Sequence, residues 1–384
     1  MHSWSAATLG DVVERDGGLI QTGPFGSQLH QSDYVTEGIP VIMPKDIADG
    51  RVDAVSVARV SEETASRLSR HQLRPRTIVI PRRGEITKRA FIRDDQAGWL
   101  CGTGCLQIAL EGKHLLPEFL YHYMEQQAVV RWLEQHAVGT TMLNLSAGIV
   151  TELPLKFPAP AVQARIADIL SAYDALIENN RRRMALLEEA ARQLYREWFV
   201  RLRFPGHEHT RIIDGVPDGW ERVPLGDRVT LNYGKALKAE DRIDGPYPVY
   251  GSSGIVGMHE KALAPGPGIV VGRKGNIGSV YWCPKDYWPI DTVYFIAADP
   301  SNLWLYYALR HMHFISTDVA VPGLNRDFAY SRPLLVPEAR VLRIFLDTTA
   351  SLHEQIAKLD EISEKLRTAR DVLLPRLMSG EIAV

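Results

Sequence analysis

Two apolar stripes in one phase govern what this chain can become. Stepping from Ile166 by four and three residues alternately visits Ile166, Leu170, Tyr173, Ile177, Asn180, Met184, Leu187, Ala191, Leu194 and Trp198, and nine of the ten are apolar. That alternation is the heptad seam of paired helices. The same walk taken 179 residues later visits Phe345, Thr349, Leu352, Ile356, Leu359, Ser363, Leu366, Arg370, Leu373 and Leu377, seven of ten apolar. Ile362 and Ala369 stand beside the polar steps and would fill them if the register drifted. The first stripe runs 33 residues from Ile166 to Trp198, longer than the usual 8–20 of a globular helix and roughly 48 Å at 1.5 Å per residue. Two ordinary core helices fit that length less well than two helices that are partners. Pro158, Pro160 and Pro337 precede the stripes and Pro205-Gly206 follows the first. Pro375 is expected to kink or end the second helix, leaving Leu377 to Val384 as a tail.

The stripes belong to a larger duplication. Trp4 with Leu9-Gly10-Asp11 returns as Trp220 with Leu225-Gly226-Asp227, an offset of 216 at both points. Phe157-Pro158 and Val336-Pro337, each ahead of a long helix, are offset by 179. Each is preceded by a Leu-Asn pair, Leu143-Asn144 and Leu324-Asn325. The fall from 216 to 179 makes the first variable segment 37 residues longer than the second. The expected organisation is a multidomain α/β (α+β) chain: a globular domain over 1–157, a long helix over 158–205, a second globular domain over 206–337, and a helix with tail over 338–384. If a pseudo-two-fold relates the halves, the helices pair as an antiparallel coiled coil and the molecule is a dumbbell.

Composition narrows the class. In 384 residues, 45% are hydrophobic and 23% charged, which is ordinary globular usage. No apolar run approaches the roughly 18 residues of a membrane span, and Met1 to Gly10 lacks the pattern of a secretory signal. Cys101, Cys105 and Cys283 are too few for a disulfide framework and suit a reducing cytoplasm. Cys101-Gly-Thr-Gly-Cys105 has no companion pair and reads as strand core rather than a metal site. His207 with His209, and His311 with His313, likewise lack zinc-like companions. There is no Walker loop, no Gly-x-Gly-x-x-Gly fingerprint and no Asn/Asp-Pro-Pro-aromatic stretch. The formal charge of −2 advertises no global basic field.

Two domains held at a fixed separation suit an extended, bipartite ligand. Duplex DNA presents same-face contacts about 34–36 Å apart. The chain resembles the specificity subunit of type I restriction-modification systems. The second half carries the likeness through Tyr247 to Gly257, Gly268 to Gly278, Trp288-Pro289-Ile290-Asp291-Thr292 and the ending Leu373 to Ile382. The first half adds Gly139-Thr140-Thr141-Met142-Leu143-Asn144-Leu145-Ser146 and Trp198-Phe199-Val200. The resemblance implies a non-catalytic reader of double-stranded DNA whose two target-recognition domains each take one half of a split site. It also implies docking of two methyltransferase (modification) subunits and a nuclease-translocase (restriction) subunit. No cofactor is expected in this chain; S-adenosylmethionine, ATP and magnesium enter only through those partners. A coiled-coil scaffold binding proteins only, or a DNA enzyme with its own active site, are the alternatives.

Candidate DNA contacts follow from loops beside apolar strands. After Ile269-Val270-Val271 come Arg273, Lys274 and Asn276. An Arg fork matches guanine or phosphate, and an Asn amide matches adenine. Tyr250, Ser252 and Ser253 offer hydroxyls to phosphate, and Asn325 and Arg326 follow Val321-Pro322-Gly323. In the first half the analogue follows Ile78-Val79-Ile80 with Arg82, Arg83, Lys88 and Arg89, joined by Lys45, Thr140, Thr141 and Asn144. Each is read against a solvated face or a packed turn. Lys and Arg number 16 against 18 acids over 1–157, and 13 against 14 over 206–337. No segment is strongly basic, so the chain alone is expected to bind DNA weakly and in a salt-sensitive way.

Overall fold

The computed structural model describes residues 4–48, 50–55, 57–139, 143–312, 314 and 323–384. They form two compact units, one of residues 1–178 with 363–384 and one of residues 179–362. No helix among them is long and apolar enough to cross a membrane.

Each unit is built on the same sheets. A two-stranded sheet pairs Ser5–Thr8 with Pro154–Phe157 in the first unit and Glu221–Pro224 with Pro333–Val336 in the second. Thr8 lies opposite Pro154, and Pro224 lies opposite Pro333. These are one residue pair displaced by 216 and 179, the two offsets of the duplication. The neighbouring turn repeats too: Leu9 N–H donates to Leu153 O at 2.9 Å and Leu225 N–H to Arg332 O at 2.8 Å. A Cβ on Gly10 would lie 3.0 Å from Thr151 Cβ, and one on Gly226 would lie 2.9 Å from Tyr330 Cβ. Close packing thus explains the glycine in both Leu-Gly-Asp motifs. The copies part where Thr8 becomes Pro224. Thr8 Oγ1 caps a helix over Leu9–Asp16, whereas proline offers no hydroxyl and only a 3-10 turn, Leu225–Asp227, forms.

The main sheet of the first unit orders its strands Leu19–Thr22, Cys105–Ala109, Ile78–Pro81 and Ala90–Phe91. That of the second unit orders Asn232–Tyr233, Val293–Ile296, Gly268–Gly272 and Val280–Cys283. Both are antiparallel throughout. A further sheet in each unit contains a parallel pair, Leu100–Cys101 on Ile39–Ile42 and Trp288–Pro289 on Tyr247–Gly251. Cys101 and Cys105 are buried strand residues in an apolar cluster, and burial pushes the Cys101 thiol up to about 12.

The two long helices are Pro160–Tyr195, continuing as a wider turn through Arg196–Val200, and Ala339–Met378. In the first unit, Ile166 and Leu170 share a core with Leu374, Leu377 and Met378. In the second, Ala191, Tyr195 and Phe199 share one with Val341 and Phe345. Within each unit, therefore, the start of one helix meets the end of the other, as an antiparallel pair must. The duplicated tryptophans follow the same exchange. A Cβ on Gly380, past the end of the second helix, would lie 3.0 Å from Trp4 Nε1. Trp220 packs on Phe199 and Phe204 past the end of the first, with centroids 5.6 and 4.7 Å away.

The register of the seam does not drift. Thr349 and Ser363 are 0% exposed and Asn180 is 7% exposed, while Ile362 is 48% exposed. The polar steps themselves are buried, and Ile362 does not replace one. The seam's Arg370 pairs with Asp174 at 2.5 Å. Tyr173, Ile177, Met184, Leu187, Leu352, Ile356, Leu366 and Leu373 are half-buried, and Leu359 is buried. Leu194 and Trp198 pack at the edge of the second unit's core. Pro375 does not end the second helix, which runs on to Met378. Buried Leu374, Leu377 and Met378 hold that last turn against the core, which offsets the hydrogen bond proline cannot make.

Candidate nucleic-acid interface

The loops expected to be analogues occupy one place in the fold. Arg82 N–H donates to Gly104 O at 2.8 Å, and Leu145 N–H donates to Arg82 O at 2.8 Å. Arg273 N–H donates to Thr292 O at 2.9 Å, and Leu324 N–H donates to Arg273 O at 2.9 Å. Two residues on, Gly84 has φ +76° and Gly275 has φ +75°, a left-handed turn that favours glycine. Ile86 and Ile277 then donate to the carbonyls of Gly84 and Gly275 at 2.9 and 3.0 Å. Arg82-Arg83-Gly84 and Arg273-Lys274-Gly275 are thus one basic turn made twice, each after the equivalent inner strand of its unit's main sheet.

Arg83, Lys274 and Asn276 are exposed on these turns, and Arg82, Arg273 and Lys88 are half-buried. Lys88 pairs with Glu85 on its own turn. Lys45 is exposed on the short turn Pro44–Asp46. Ser253 is exposed, and Ser252 braces the second turn: its Oγ accepts from Asn276 N–H at 3.4 Å and its carbonyl accepts from Ser279 at 2.7 Å. Arg326 is exposed at the start of Arg326–Tyr330. Thr140 and Thr141 lie outside the described residues.

Several expected contacts carry structural bonds of their own. Tyr250 is 6% exposed among Val270, Cys283 and Tyr287 in the middle strand of its sheet, so its hydroxyl is not offered to phosphate. Arg89 turns inward to Glu125 at 2.5 Å, with its guanidinium 5.3 Å from the Tyr121 ring centroid. Asn325 Oδ1 caps a helix through Phe328 N–H at 3.0 Å. Its counterpart is Ser146, whose Oγ caps Ala147–Thr151, an offset of 179. Asn144 is instead a bridge residue paired with Arg83 and Val138, its Oδ1 accepting from Arg82 Nε at 3.4 Å.

Tyr233 is a further residue at this surface. Its ring is 53% exposed, and the guanidinium carbons of Arg273 and Arg326 lie 5.2 and 5.3 Å from its centroid. No local motif marks it, because its neighbours come from three distant segments. Elsewhere, His122, Glu125 and Asp174 bring three ligand-type atoms within 4.8 Å of one another. Arg89 and Arg370 already hold those two carboxylates, at 2.5 Å each, so the arrangement is an ion-pair cluster rather than a metal centre.

The type I restriction modification DNA specificity domain model matches residues 1–189 and 217–327. The type I restriction enzyme MjaIX specificity subunit of Methanocaldococcus jannaschii is 22% identical over 423 aligned positions, covering 99% of this chain and 94% of that protein. The HindI specificity subunit of Haemophilus influenzae is 20% identical, covering 76% of this chain and 83% of that protein. Among solved structures, the S subunit of a type I restriction-modification system from M. genitalium shares the fold with a TM-score of 0.55 and 17% identity, over 98% of this chain and 96% of that one. Two copies of one sheet-and-turn unit, two long helices exchanged between them, and a family match over most of the chain lead to one assignment: the chain belongs to the type I restriction-modification DNA specificity family, as a subunit that recognises DNA sequence and does no bond chemistry itself.

Proposed function

We propose that residues 1–157 and 206–337 are two target-recognition domains, each reading one half of a split duplex site through its basic turn. The carrying observation is the equivalence of Arg82-Arg83-Gly84 and Arg273-Lys274-Gly275, fixed by matching backbone bonds and matching left-handed glycines. Lys45, Lys88, Ser253, Asn276 and Arg326 extend the reading surface, while Arg89, Tyr250, Asn325 and Asn144 shape it from behind. In this reading the two helices set the gap between half-sites and present the surface on which two modification subunits, and a restriction subunit, assemble in the cytoplasm. Those partners bring S-adenosylmethionine, ATP and magnesium.

The test is selection of bound duplexes from a random pool by the full chain at low salt. A split motif is expected, and variants of the first turn should change one half of it while variants of the second turn change the other. Inserting one heptad into the first helix alone should lengthen the tolerated gap or abolish selection. An unsplit motif, or a gap unmoved by the insertion, would refute the proposal.

A further inference from the structure

The two turns share a backbone but not their surroundings. In the second unit five side chains from four segments alternate aromatic and cationic: Tyr294, Arg273, Tyr233, Arg326 and Tyr330. The Arg273 guanidinium carbon is 5.8 Å from the Tyr294 centroid and 5.2 Å from that of Tyr233. That of Arg326 is 5.3 Å from Tyr233 and 6.0 Å from Tyr330. The outer rings are anchored. Tyr294 donates its hydroxyl to Leu324 O at 3.1 Å, and Tyr330 accepts from Leu231 N–H at 2.9 Å. Arg273 Nη2 donates to Asp291 O at 2.7 Å. Among the described residues neither arginine has a carboxylate within ion-pair distance.

Among the described residues, the first unit has no such stack at the equivalent positions. Gly23 and Gly234 donate to the equivalent carbonyls of Cys105 and Val293, and Thr22 lies opposite Leu106 as Tyr233 lies opposite Tyr294. Thr22 therefore stands where the second unit has Tyr233. By the 179 offset of Ser146 and Asn325, Ala147 and Thr151 stand where it has Arg326 and Tyr330.

We infer that Tyr233 is a specificity-determining positioning residue of the second recognition domain: its exposed ring fixes the planes of Arg273 and Arg326 so that these forks read base edges. This rests on the proposal that the second turn faces DNA. A phosphate grip needs only a nearby charge, and a flexible lysine supplies one. Bidentate reading of a base edge needs the fork held in one plane. Two arginines stacked on one ring and left without carboxylate partners are built for the second task.

The experiment is duplex selection and titration with the full chain, comparing wild type with Tyr233→Ala, Tyr233→Phe and Lys274→Ala. Near-ultraviolet circular dichroism checks that each variant keeps its packing. Tyr233→Ala is expected to reduce base preference at least tenfold in one half-site only, with non-specific duplex affinity changed less than threefold. Tyr233→Phe, which keeps the ring, should retain the preference. If Tyr233→Ala weakens all duplexes equally, the arginines grip phosphate and the inference falls. If Tyr233→Ala leaves preference intact while Lys274→Ala weakens binding, the inference falls and the interface stands. If neither variant alters any property of binding, the interface reading falls with it.

Discussion

Replacing Glu125 by glutamine should loosen the globular part of the first unit from the helices it sits on. Glu125 lies at the meeting point of that part with both long helices. Arg89 is 2.5 Å away and His122 Nδ1 is 3.5 Å away, while Arg370 on the second helix is held 2.5 Å from Asp174 on the first. Burial pushes the Glu125 carboxyl up, but His122, Arg89 and Arg370 outweigh it and bring it from 4.5 to about 2. Its side chain is 8% exposed, so the interaction is little screened by solvent. At 1.36 kcal/mol for each pH unit, the depression corresponds to roughly 3 kcal/mol. Breaking a buried ion pair by removing one partner costs about 3–5 kcal/mol, which agrees. A depressed carboxyl stabilises the fold at any pH above its unfolded value, and that contribution fades as pH falls from about 4.5 toward 2. Amide exchange at neutral pH should therefore quicken about 100-fold across Pro117–Tyr123 and Gln127–His136 in Glu125→Gln, and stay unchanged across Leu303–His311. Wild type is expected to lose stability between pH 5 and pH 2 as this carboxylate protonates, and the variant should lose less. Exchange within threefold of wild type, or an unaltered acid profile, would show that this carboxylate does not fasten the domain.

Other expectations rest on independent features. Phe345 is fully buried beside Phe199, Trp198 and Tyr195, so Phe345→Ala should destabilise the second unit by about 3–5 kcal/mol in chemical denaturation. Gly84 has open space around its Cβ position, so Gly84→Ala should cost only the left-handed strain, about 1 kcal/mol, while weakening selection at one half-site. Arg83→Ala and Lys274→Ala should each lower the slope of log affinity against log salt by about 1 if those cations contact phosphate. A slope equal to wild type would remove that residue from the interface.

What was legible in the sequence had a local physical signature. The seam was legible because a helix repeats its face every few residues, and even its polar steps fell where the fold buries them. The paired turns were legible because an apolar strand followed by a basic glycine loop is a short-range pattern. Residue type pairs Asn144 with Asn325, whereas the fold pairs Asn325 with Ser146 by the role of helix cap. Side-chain direction leaves little local trace. Arg89 and Arg83 look alike in sequence, and only the position of Glu125 sends one inward. Tyr250 looks like a turn hydroxyl until its strand is seen to be covered on both sides. Tyr233 had no signal at all, since its meaning depends on residues 40 and 93 positions away that share its ring.

The drift of the offset between the copies shows where the two units were free to diverge. It is 216 at Leu9 and Leu225, 211 at Gly23 and Gly234, 191 at Gly84 and Gly275, and 179 at Leu145 and Leu324. The largest step, 20 residues, falls between Gly23 and Gly84, a stretch that also holds Tyr34–Val35, Ala58–Val60 and the helix Glu62–Arg67. Across the two-stranded sheet the offsets hold at Thr8 with Pro224 and Pro154 with Pro333, and along the helices 179 holds from buried Ile166 and Phe345 to buried Phe199 and Met378. Extra residues in a surface segment cost little, since loop-closure entropy grows only with the logarithm of length. One extra residue inside a heptad seam would rotate every later side chain by about 100°, out of the interface. Physical tolerance thus leaves length free to vary in the loops of each unit and holds the helices in register.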